Sequence, residues 1–388
     1  MRLDQCHSID DLRRRARRRL PSPLFHYIDG GADDEVTLGR NTAAFQDYDL
    51  LPSQLHDVAQ VDLSTTLLGR RIDWPVMLSP TGMSRLFHHH AEPAVARAAA
   101  RTGTFYGLST LATTGLEAIA QAAPGPKMFQ VYVFRDRGLT REFVDRCQDA
   151  GYDALCLTVD MAVAGNRERD RKTGMTMPPS FTLASLASFL AHPAWAANLL
   201  RHPDFSLANV AHRADVGSGG AISLIDYVNA QLDPSVTWQD AAWLAKAWGG
   251  KFVIKGIQTV ADARRAADIG AHAVMVSNHG GRQLDGVAAP VDCIAAIAEA
   301  VGDRIEIILD GGVRRGTHVL KALALGADAC AVGRAYLYGL AAGGYDGVMR
   351  ALTLLRGEIA RDMALLGCRT VREVSPHHIR WRGSPMAT

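Results

Sequence analysis

Eight short runs of apolar and β-branched residues recur along the chain, and each run ends in a polar residue or a glycine. The runs cover residues 76–80, 104–110, 128–133, 154–160, 251–256, 273–278, 306–311 and 329–334. Between most of them lie segments with helical spacing, among them 92–101, 141–150, 260–270, 291–301 and 318–326. Eight strands that alternate with helices match a closed parallel barrel, whereas an open doubly wound sheet usually has fewer strands. The sequence therefore predicts an α/β fold, the (β/α)8 or TIM barrel.

The alternation is interrupted once, after the fourth run. A helix over residues 238–248, opened by Thr237 and Asp240, accounts for the end of this gap. Residues 161–236 are then an insertion after the fourth strand, far longer than a usual connection. A helical segment that Ser8 and Asp11 begin precedes the barrel. Since α/β barrels routinely exceed the usual domain size, we expect residues 1–388 to form a single domain.

Charge and cysteine content exclude some classes of protein. The formal net charge is +2, which gives no general attraction to nucleic acid. The six cysteines are widely spaced and form no Cys-x-x-Cys pair, so we expect reduced thiols. No secretory apolar segment opens the chain, and we therefore expect a cytoplasmic protein.

Polar side chains follow the apolar runs at the point where each predicted strand ends. They are Thr81, Ser109, Gln130, Tyr132, Thr158, Asp160, Lys255, His279, Arg282, Asp310 and Arg334. In a barrel of this class the carboxyl ends of all strands meet at one face, where catalytic groups lie. The sequence predicts that these side chains surround one site.

The decapeptide 277–286, Ser-Asn-His-Gly-Gly-Arg-Gln-Leu-Asp-Gly, places a histidine and an arginine together at such a strand end. His279 suits a general base, and Arg282 suits a clamp for a carboxylate. The alternative is a core histidine that bonds a backbone carbonyl. The two glycines that follow His279 favour the first interpretation, because a packing residue does not need that backbone freedom.

The seventh and eighth runs end in glycine and arginine, in residues 310–316 and 332–334. Freed backbone N–H groups and an arginine at this place in a barrel are typical of a phosphate site. Because the chain has no Walker loop and no complete Gly-x-Gly-x-x-Gly after a first strand, a mononucleotide is favoured over NAD.

The decapeptide resembles the signature of the FMN-dependent α-hydroxy-acid dehydrogenases and oxidases, and the resemblance runs from about Leu12 to Pro376. Residues 165–170 and 337–342, with the long insertion, are similar to the membrane-associated branch that contains (S)-mandelate dehydrogenase and L-lactate dehydrogenase. The resemblance implies FMN as cofactor, an L-2-hydroxy acid as substrate, a quinone or other electron acceptor, and a homo-oligomer, a tetramer in the family.

The resemblance also implies a role for each site residue. His279 would be the base, with Asp160 stabilising its charged form and Tyr132 near the substrate hydroxyl. Tyr27, Arg167 and Arg282 would bind the substrate carboxylate. The flavin ring would be lined by Pro80, Thr81, Gly82, Ser109, Gln130, Thr158, Lys255 and Ser277. Asp310 would hold the ribityl chain, and Gly312, Arg314, Gly333 and Arg334 would hold the phosphate.

Two positions differ from common oxidases of that family. Gly82 stands where many have alanine, and Leu111 stands where short-chain glycolate oxidases have tryptophan. Both remove bulk, so a larger substrate such as mandelate is expected beside lactate. The reactivity of the reduced flavin with oxygen stays open, so an oxidase that forms hydrogen peroxide is one alternative. A non-catalytic barrel that only binds flavin is another.

Residues 175–215 are rich in Leu, Phe and Trp, and none before Arg201 is Asp, Glu, Lys or Arg. Such a segment is expected to contact the cytoplasmic face of the inner membrane as a peripheral element, or to close the barrel mouth as a lid. The arginines of residues 13–19 either attract anionic lipid or form a solvated helix face.

The run His88-His89-His90 is expected to be a loop before a helix and not a metal site, because three consecutive side chains do not converge from a regular element.

Overall fold

The strands that the sequence predicts close into one parallel barrel. The computed structural model describes residues 2–383 except 177–178, 204, 214–226 and 228–229. Eight strands pair in the order β10-β11-β4-β5-β6-β7-β8-β9 and close on themselves. The barrel strands are β4 (Val76–Leu78), β5 (Tyr106–Ser109), β6 (Lys127–Val131), β7 (Ala154–Thr158), β8 (Lys251–Ile257), β9 (Ala273–Ser277), β10 (Glu306–Asp310) and β11 (Ala329–Val332). All eight predicted strands are present, and the fold class is confirmed.

The inside of the barrel is filled by side chains and is not a pore. Met77, Phe105, Met128, Met275 and Ile308 are fully buried in one cluster. The same cluster includes residues of an antiparallel hairpin, β2 (Thr65–Leu67) and β3 (Arg70–Ile72), which precedes the first barrel strand. Packing inside the barrel leaves the carboxyl ends of the strands as the place for a cavity.

Helices surround the barrel and lie close to their predicted positions. They are α1 (Ile9–Arg19), α2 (Ser22–Asp29), α3 (Val36–Ala43), α4 (Ala91–Arg101), α5 (Leu116–Ala122), α6 (Arg137–Asp149), α7 (Glu168–Thr173), α8 (Leu183–Leu190), α9 (Pro193–Arg201), α10 (Trp238–Trp248), α11 (Val260–Asp268), α12 (Pro290–Val301), α13 (Gly316–Ala324) and α14 (Arg334–Leu366). The remaining strands are β1 (Tyr48–Leu50) and β12 (Ile379–Trp381), which pair antiparallel.

The two helix starts predicted from capping residues are present. Ser8 accepts a hydrogen bond from the backbone N–H of Asp11 at the start of α1. Thr237 and Asp240 form a reciprocal capping box at the start of α10. α14 is interrupted by non-helical backbone at Gly343 and Gly344, so it consists of two helices.

The insertion carries helices α7, α8 and α9 before α10 returns the chain to the barrel. Leu183, Leu190 and Leu200 are each at least 80 % exposed on α8 and α9. Among the described residues, no single helix is long and apolar enough to cross a membrane; α8 and α9 together pass by length and composition but are bent by 81°. Residues 177–178, 204 and 214–215 of the predicted contact segment lie outside the described residues.

Candidate active site

One cavity opens at the carboxyl ends of the barrel strands and encloses about 1400 Å³ free of protein atoms, its open mouth included. It is lined by Tyr27, Pro80, Thr81, Gly82, Ser109, Gln130, Tyr132, Thr158, Arg167, Lys255, His279, Arg282, Asp310, Gly312, Arg314, Gly333 and Arg334. Of the predicted site residues, only Asp160 and Ser277 are not in this lining, and both bond to residues that are. The structure therefore brings the whole predicted set together.

His279 is held by Asp160. Its Nδ1 lies 2.9 Å from Oδ1 of Asp160, so Nδ1 carries the proton in the neutral ring and Nε2 is left free. Burial alone would raise the pKa of Asp160, but His279 and Lys255 lower it below its usual range. Asp160 therefore stays ionised and is placed to stabilise a positive charge on His279.

The backbone around His279 has an unusual shape. His279, Gly280 and Gly281 have φ values of 56°, 68° and 72°, in the left-handed region. A Cβ on Gly281 would lie 2.7 Å from the backbone nitrogen of Leu38. The turn needs glycine because α3 packs directly against it, which explains the glycine pair after the histidine.

Lys255 is buried at the end of β8 and forms an ion pair with Asp310. The Nζ of Lys255 lies 3.0 Å from Oδ2 of Asp310 and donates to Oγ of Ser277 at 3.0 Å. Burial would lower the pKa of Lys255, but Asp310 and Asp160 raise it above its usual range. The lysine is a fixed positive charge at the cavity wall, and Ser277 orients it.

Two arginines flank Tyr27. The guanidinium carbons of Arg167 and Arg282 lie 5.2 Å and 5.0 Å from the centre of the Tyr27 ring. Burial, followed by the charge of Arg167, lowers the pKa of Arg282. Asp170 lies 3.2 Å from Arg167 and is the carboxylate next to this pair. The site has an excess of buried positive charge, which an anionic ligand would balance.

Arg334, a predicted phosphate ligand, is also bonded to the protein backbone. Its Nε, Nη1 and Nη2 donate to the carbonyl oxygens of Ile28, Gly280 and Gly30 at 2.7–2.8 Å. Three of its five N–H groups therefore join α2 to the His279 turn, and two are left for a ligand.

Glycine and arginine residues line the cavity where β10 and β11 end. Gly312 has φ 75°, and a Cβ there would lie 1.8 Å from the carbonyl oxygen of Asn41. Arg314 lies beside it and in the cavity lining. Further round the cavity, Thr158 Oγ1 is buried without a hydrogen-bond partner. Ser109 donates to Oε1 of Gln130, which leaves the amide NH2 of Gln130 as a donor. These groups fit the phosphate and the polar ring edge of a flavin mononucleotide.

Comparison with known proteins decides the family. Residues 16–381 match the model of the family described as FMN-dependent dehydrogenase. The chain belongs to this family. FMN is therefore its cofactor, and the predicted resemblance and dehydrogenase class are confirmed.

Relatives of this FMN-dependent dehydrogenase include both a dehydrogenase and an oxidase. It is 44% identical over 370 residues to an L-lactate dehydrogenase of Caulobacter vibrioides, covering 95% of this chain and 96% of the relative. It is 42% identical over 363 residues to an L-lactate oxidase of Nostoc sp., and the match covers 92% of this chain and 94% of the relative. The solved structure of the monotopic membrane protein (S)-mandelate dehydrogenase matches with a TM-score of 0.93 at 35% identity, covering 97% and 100%.

Several cavity residues were not predicted from the sequence. They are Ile28, Phe87, Met161, Ala164, Leu232, Gln283, Val313 and Leu337. Phe87 stacks on Tyr27, with ring centres 6.3 Å apart. Leu232 lies at the far end of the insertion and reaches the cavity through a bridge to Phe134. Gln283 lies inside the decapeptide, so its place in the sequence could have identified it as a site residue. The apolar residues have no sequence feature that indicates a place in the cavity.

The histidine run is a loop, as predicted, but the expectation that its three side chains do not converge is wrong. A ligating nitrogen of each of His88, His89 and His90 lies within 4.8 Å of the others, because the three residues follow a turn and not a regular element. His202 of the insertion also stacks on His89 at 4.2 Å. Backbone N–H groups donate to Nδ1 of His88 and of His90, so in each neutral ring Nε2 carries the proton.

Proposed function

We propose that this dehydrogenase oxidises an L-2-hydroxy acid to the 2-oxo acid and passes the electrons from FMN to a quinone or another acceptor. The observation that carries the proposal is the His279–Asp160 pair in one cavity with Arg167 and Arg282. The two arginines can bind a carboxylate, and the histidine can accept a proton from the neighbouring carbon atom or its hydroxyl. A 2-hydroxy acid has both groups next to each other.

His279 takes up the proton that the substrate loses. Its Nε2 is the free nitrogen, because Nδ1 is bonded to Asp160. The ionised Asp160 stabilises the imidazolium that forms, and it also fixes the plane of the ring. FMN, when bound at this site, would supply the acceptor for the two electrons of the reaction. The buried hydroxyl of Tyr132, whose pKa burial raises, stays protonated and is placed to hydrogen-bond the substrate hydroxyl.

The carboxylate of the substrate lies between Arg167, Arg282 and the hydroxyl of Tyr27. Arg282 donates through Nη1 to the carbonyl oxygens of Tyr27 and Gly30. Those bonds fix the guanidinium, so little side-chain entropy is lost on binding. The excess positive charge of the free site is then neutralised by the ligand.

Three groups of residues would hold FMN. Pro80, Thr81, Gly82, Ser109, Gln130, Thr158, Lys255 and Ser277 would line the ring; Asp310 would hold the ribityl chain; Gly312, Arg314, Gly333 and Arg334 would hold the phosphate. Lys255 places positive charge near the ring, which favours uptake of electrons.

A decisive experiment starts with the spectrum of the purified protein. A flavin spectrum that bleaches on anaerobic addition of L-lactate or (S)-mandelate supports the proposal. A yellow protein that no 2-hydroxy acid bleaches would instead be a non-catalytic flavin-binding barrel.

The oxidase alternative is favoured by the similarity to an L-lactate oxidase. Stopped-flow mixing of the reduced enzyme with air-saturated buffer or with a soluble quinone separates the two activities. Reoxidation that is faster with quinone supports the dehydrogenase; fast formation of hydrogen peroxide supports the oxidase.

Substrates with a bulky side chain should be accepted. A Cβ on Gly82 would lie 2.9 Å from Cβ of Leu111, so these two residues touch at the cavity wall. Mandelate should therefore be turned over at least as efficiently as glycolate, since each Å² of buried ring contributes about 25 cal/mol. Leu111→Trp should reverse the order, and Leu111→Met is the matched control.

The exposed face of α8 and α9 is proposed to lie on the cytoplasmic surface of the inner membrane. Leu183, Leu190 and Leu200 point away from the barrel, and such an apolar patch is rare on a monomeric soluble protein. Arg17 and Arg18 are exposed near the end of α1, and Ser22, which follows them, donates its backbone N–H to Ser188 of α8. The basic residues therefore lie beside the apolar patch. In this arrangement they can bind anionic lipid headgroups while the apolar side chains enter the lipid.

Vesicle flotation tests this membrane contact against a lid. Replacing Leu183, Leu190 and Leu200 by serine should abolish flotation with anionic vesicles while turnover with a soluble dye is retained. Loss of dye turnover, or a wild-type protein that never floats, would favour a lid. Replacing Leu55 and Leu365 by serine, two exposed leucines outside the insertion, is the matched control.

We also propose that residues 1–388 are one domain, with 161–236 as its insertion, and that the chain assembles as a homo-oligomer, a tetramer in the family. Light scattering of the purified holoenzyme measures the assembly directly.

A further inference from the structure

Helix α3 packs against the active site from outside its cavity. None of the residues of α3, all of which the structure describes, is in the cavity lining. The helix nevertheless contacts two segments that carry predicted site residues, the turn at His279 and the glycine loop after β10. A side chain of α3 therefore affects the reaction only by holding another residue in place.

Asp285 joins the decapeptide to the N-terminal end of α3. Its Oδ1 accepts a hydrogen bond from the backbone N–H of Thr37 at 2.7 Å, and its Oδ2 accepts from that of Val36 at 3.2 Å. The first N–H groups of a helix have no partner inside the helix, and a negative charge is favourable there. The chain that leaves the His279 turn is therefore fastened to the first turn of α3.

A buried pair of amides joins the other end of α3 to the same turn. Asn41 and Asn278 are 3 % and 4 % exposed. Nδ2 of Asn41 donates to Oδ1 of Asn278 at 2.8 Å, and Nδ2 of Asn278 donates to Oδ1 of Asn41 at 2.7 Å. Asn278 is the residue directly before His279. Because the two amides exchange two hydrogen bonds, α3 fixes the place where the backbone enters the turn.

The amide of Asn278 has no hydrogen-bonding capacity left over. Its Nδ2 also donates to the carbonyl oxygen of Ala288 at 3.1 Å, and its Oδ1 also accepts from the backbone N–H of Gly281 at 3.1 Å. An asparagine side chain has two N–H groups and an oxygen with two lone pairs, so all four positions are occupied. Loss of the Asn41 amide would leave one donor and one acceptor of Asn278 unsatisfied in a buried place. The turn would then move as Asn278 reorients.

Asn41 also contacts the loop after β10, but through its backbone. A Cβ on Gly312 would lie 1.8 Å from the carbonyl oxygen of Asn41, and the hydroxyl of Thr42 donates to the carbonyl oxygen of Gly312 at 3.2 Å. Neither contact involves the side chain of Asn41. Replacing that side chain should therefore disturb the His279 turn and leave the predicted phosphate loop in place.

We propose that α3 positions the base of the reaction, with Asn41 and Asp285 as its two positioning residues. Asp160 orients the ring of His279, whereas the backbone of His279 has a φ of 56° in the left-handed region. A residue other than glycine keeps such a conformation only where its surroundings impose it. The bonds of α3 on both sides of the turn supply that support. This inference rests on the proposed function, because it requires His279 to be the base.

The first test is Asn41→Leu, which keeps the size of the side chain and removes both of its hydrogen-bonding groups. In the holoenzyme, kcat with L-lactate should fall by about 10- to 100-fold, because a misplacement of about 1 Å can cost about 100-fold in rate. KM should stay within about threefold, since Arg282 keeps its bonds to the carbonyl oxygens of Tyr27 and Gly30. The dissociation constant of FMN should also stay within about threefold, because the contacts with Gly312 remain. An unchanged kcat would overturn the inference, whereas a wild-type protein without turnover would contradict the proposed function itself.

A double variant separates positioning of the base from support of the fold as a whole. If Asn41 acts through His279, adding Asn41→Leu to His279→Gln should slow anaerobic bleaching by less than about twofold beyond His279→Gln alone. The kinetic isotope effect on kcat with L-lactate deuterated at C2 should increase in Asn41→Leu, because removal of the substrate hydrogen becomes the slowest step. If Asn41→Leu slows bleaching as much in the His279→Gln background as in the wild type, the inference is wrong.

Asp285→Asn tests the other end of α3 and does not depend on the folding of Asn41→Leu. It removes the charge and one of the two acceptors, so kcat should fall by about three- to tenfold, with KM again nearly unchanged. Gly39→Ala is the matched control on the same helix: Gly39 is exposed, and a Cβ there meets nothing within 4 Å. Its kcat should equal that of the wild type. If Asn41→Leu does not fold, a kcat of Asp285→Asn within about twofold of the wild-type value overturns the inference.

Discussion

At the barrel mouth, charged side chains are buried and paired, whereas on α8 and α9 of the insertion apolar side chains are exposed and few bonds join the helices to the barrel. Lys255 and Arg334 are fixed by partners from two or more segments. The end of α9 is joined to the barrel through Trp195, Asn198 and His202, all to residues 85–89. A rigid site and a loosely joined surface therefore lie on one chain, and each can change without the other.

The largest effect should come from the rigid region. His279→Gln should lower turnover by roughly 10²–10⁴-fold, the usual contribution of a positioned general base, while flavin binding is retained. Flavin absorbance and anaerobic bleaching measure the two properties on the same sample. Bleaching at the wild-type rate would remove His279 from the proposed mechanism.

The next largest effect should come from weaker binding of the substrate carboxylate. Arg282→Met should lower kcat/KM by about 10- to 100-fold, because a bond to a charged group contributes roughly 1.5–3 kcal/mol. Arg282→Lys should recover part of the loss, since a lysine keeps the charge but not the planar fork. Steady-state kinetics with L-lactate measure both variants. Unchanged kinetics in the methionine variant would assign the carboxylate to Arg167 alone.

Both the barrel and most of its site could be predicted from the sequence. The barrel strands were predicted because each is an apolar run that ends in a polar residue, and the polar ends specify the site. The bonds of Arg334 to three backbone carbonyls were not predicted. α2 is distant from this arginine in the sequence, and no local pattern indicates that the two pack together. Phe87 and Leu232 were missed for the same reason: each is one apolar residue in a loop, and only the fold brings it to the cavity.

A smaller effect is expected at α9 on mild acidification. Burial, followed by the charges of His90 and His89, lowers the pKa of His88 to about 3. A free histidine has a pKa of about 6.5. The neutral packed cluster therefore contributes stability that is complete above about pH 6.5 and is lost as the pH falls toward 3. For each histidine that takes up a proton on opening, the opening of α9 should increase by at most about tenfold per pH unit in that range.

Hydrogen exchange at α9, corrected for the intrinsic rate, measures this opening between pH 7 and 5. His88→Gln should weaken the pH dependence, and α10 serves as the internal control because none of the four histidines contacts it. An equal response of α9 and α10 would show that the cluster does not join the insertion to the barrel.

The closure of the barrel has a consequence for synthesis of the protein. β4 and β11 pair directly, with Val76 opposite Cys330 and Leu78 opposite Val332. This contact joins the first and last barrel strands, so a nascent chain exposes an open parallel edge on β4 until β11 has left the ribosome. Contacts of such sequence separation form slowly, and open edges promote aggregation. The cofactor site is therefore complete only after most of the chain has been translated. The supply of chaperones and of flavin should together limit the yield of active enzyme.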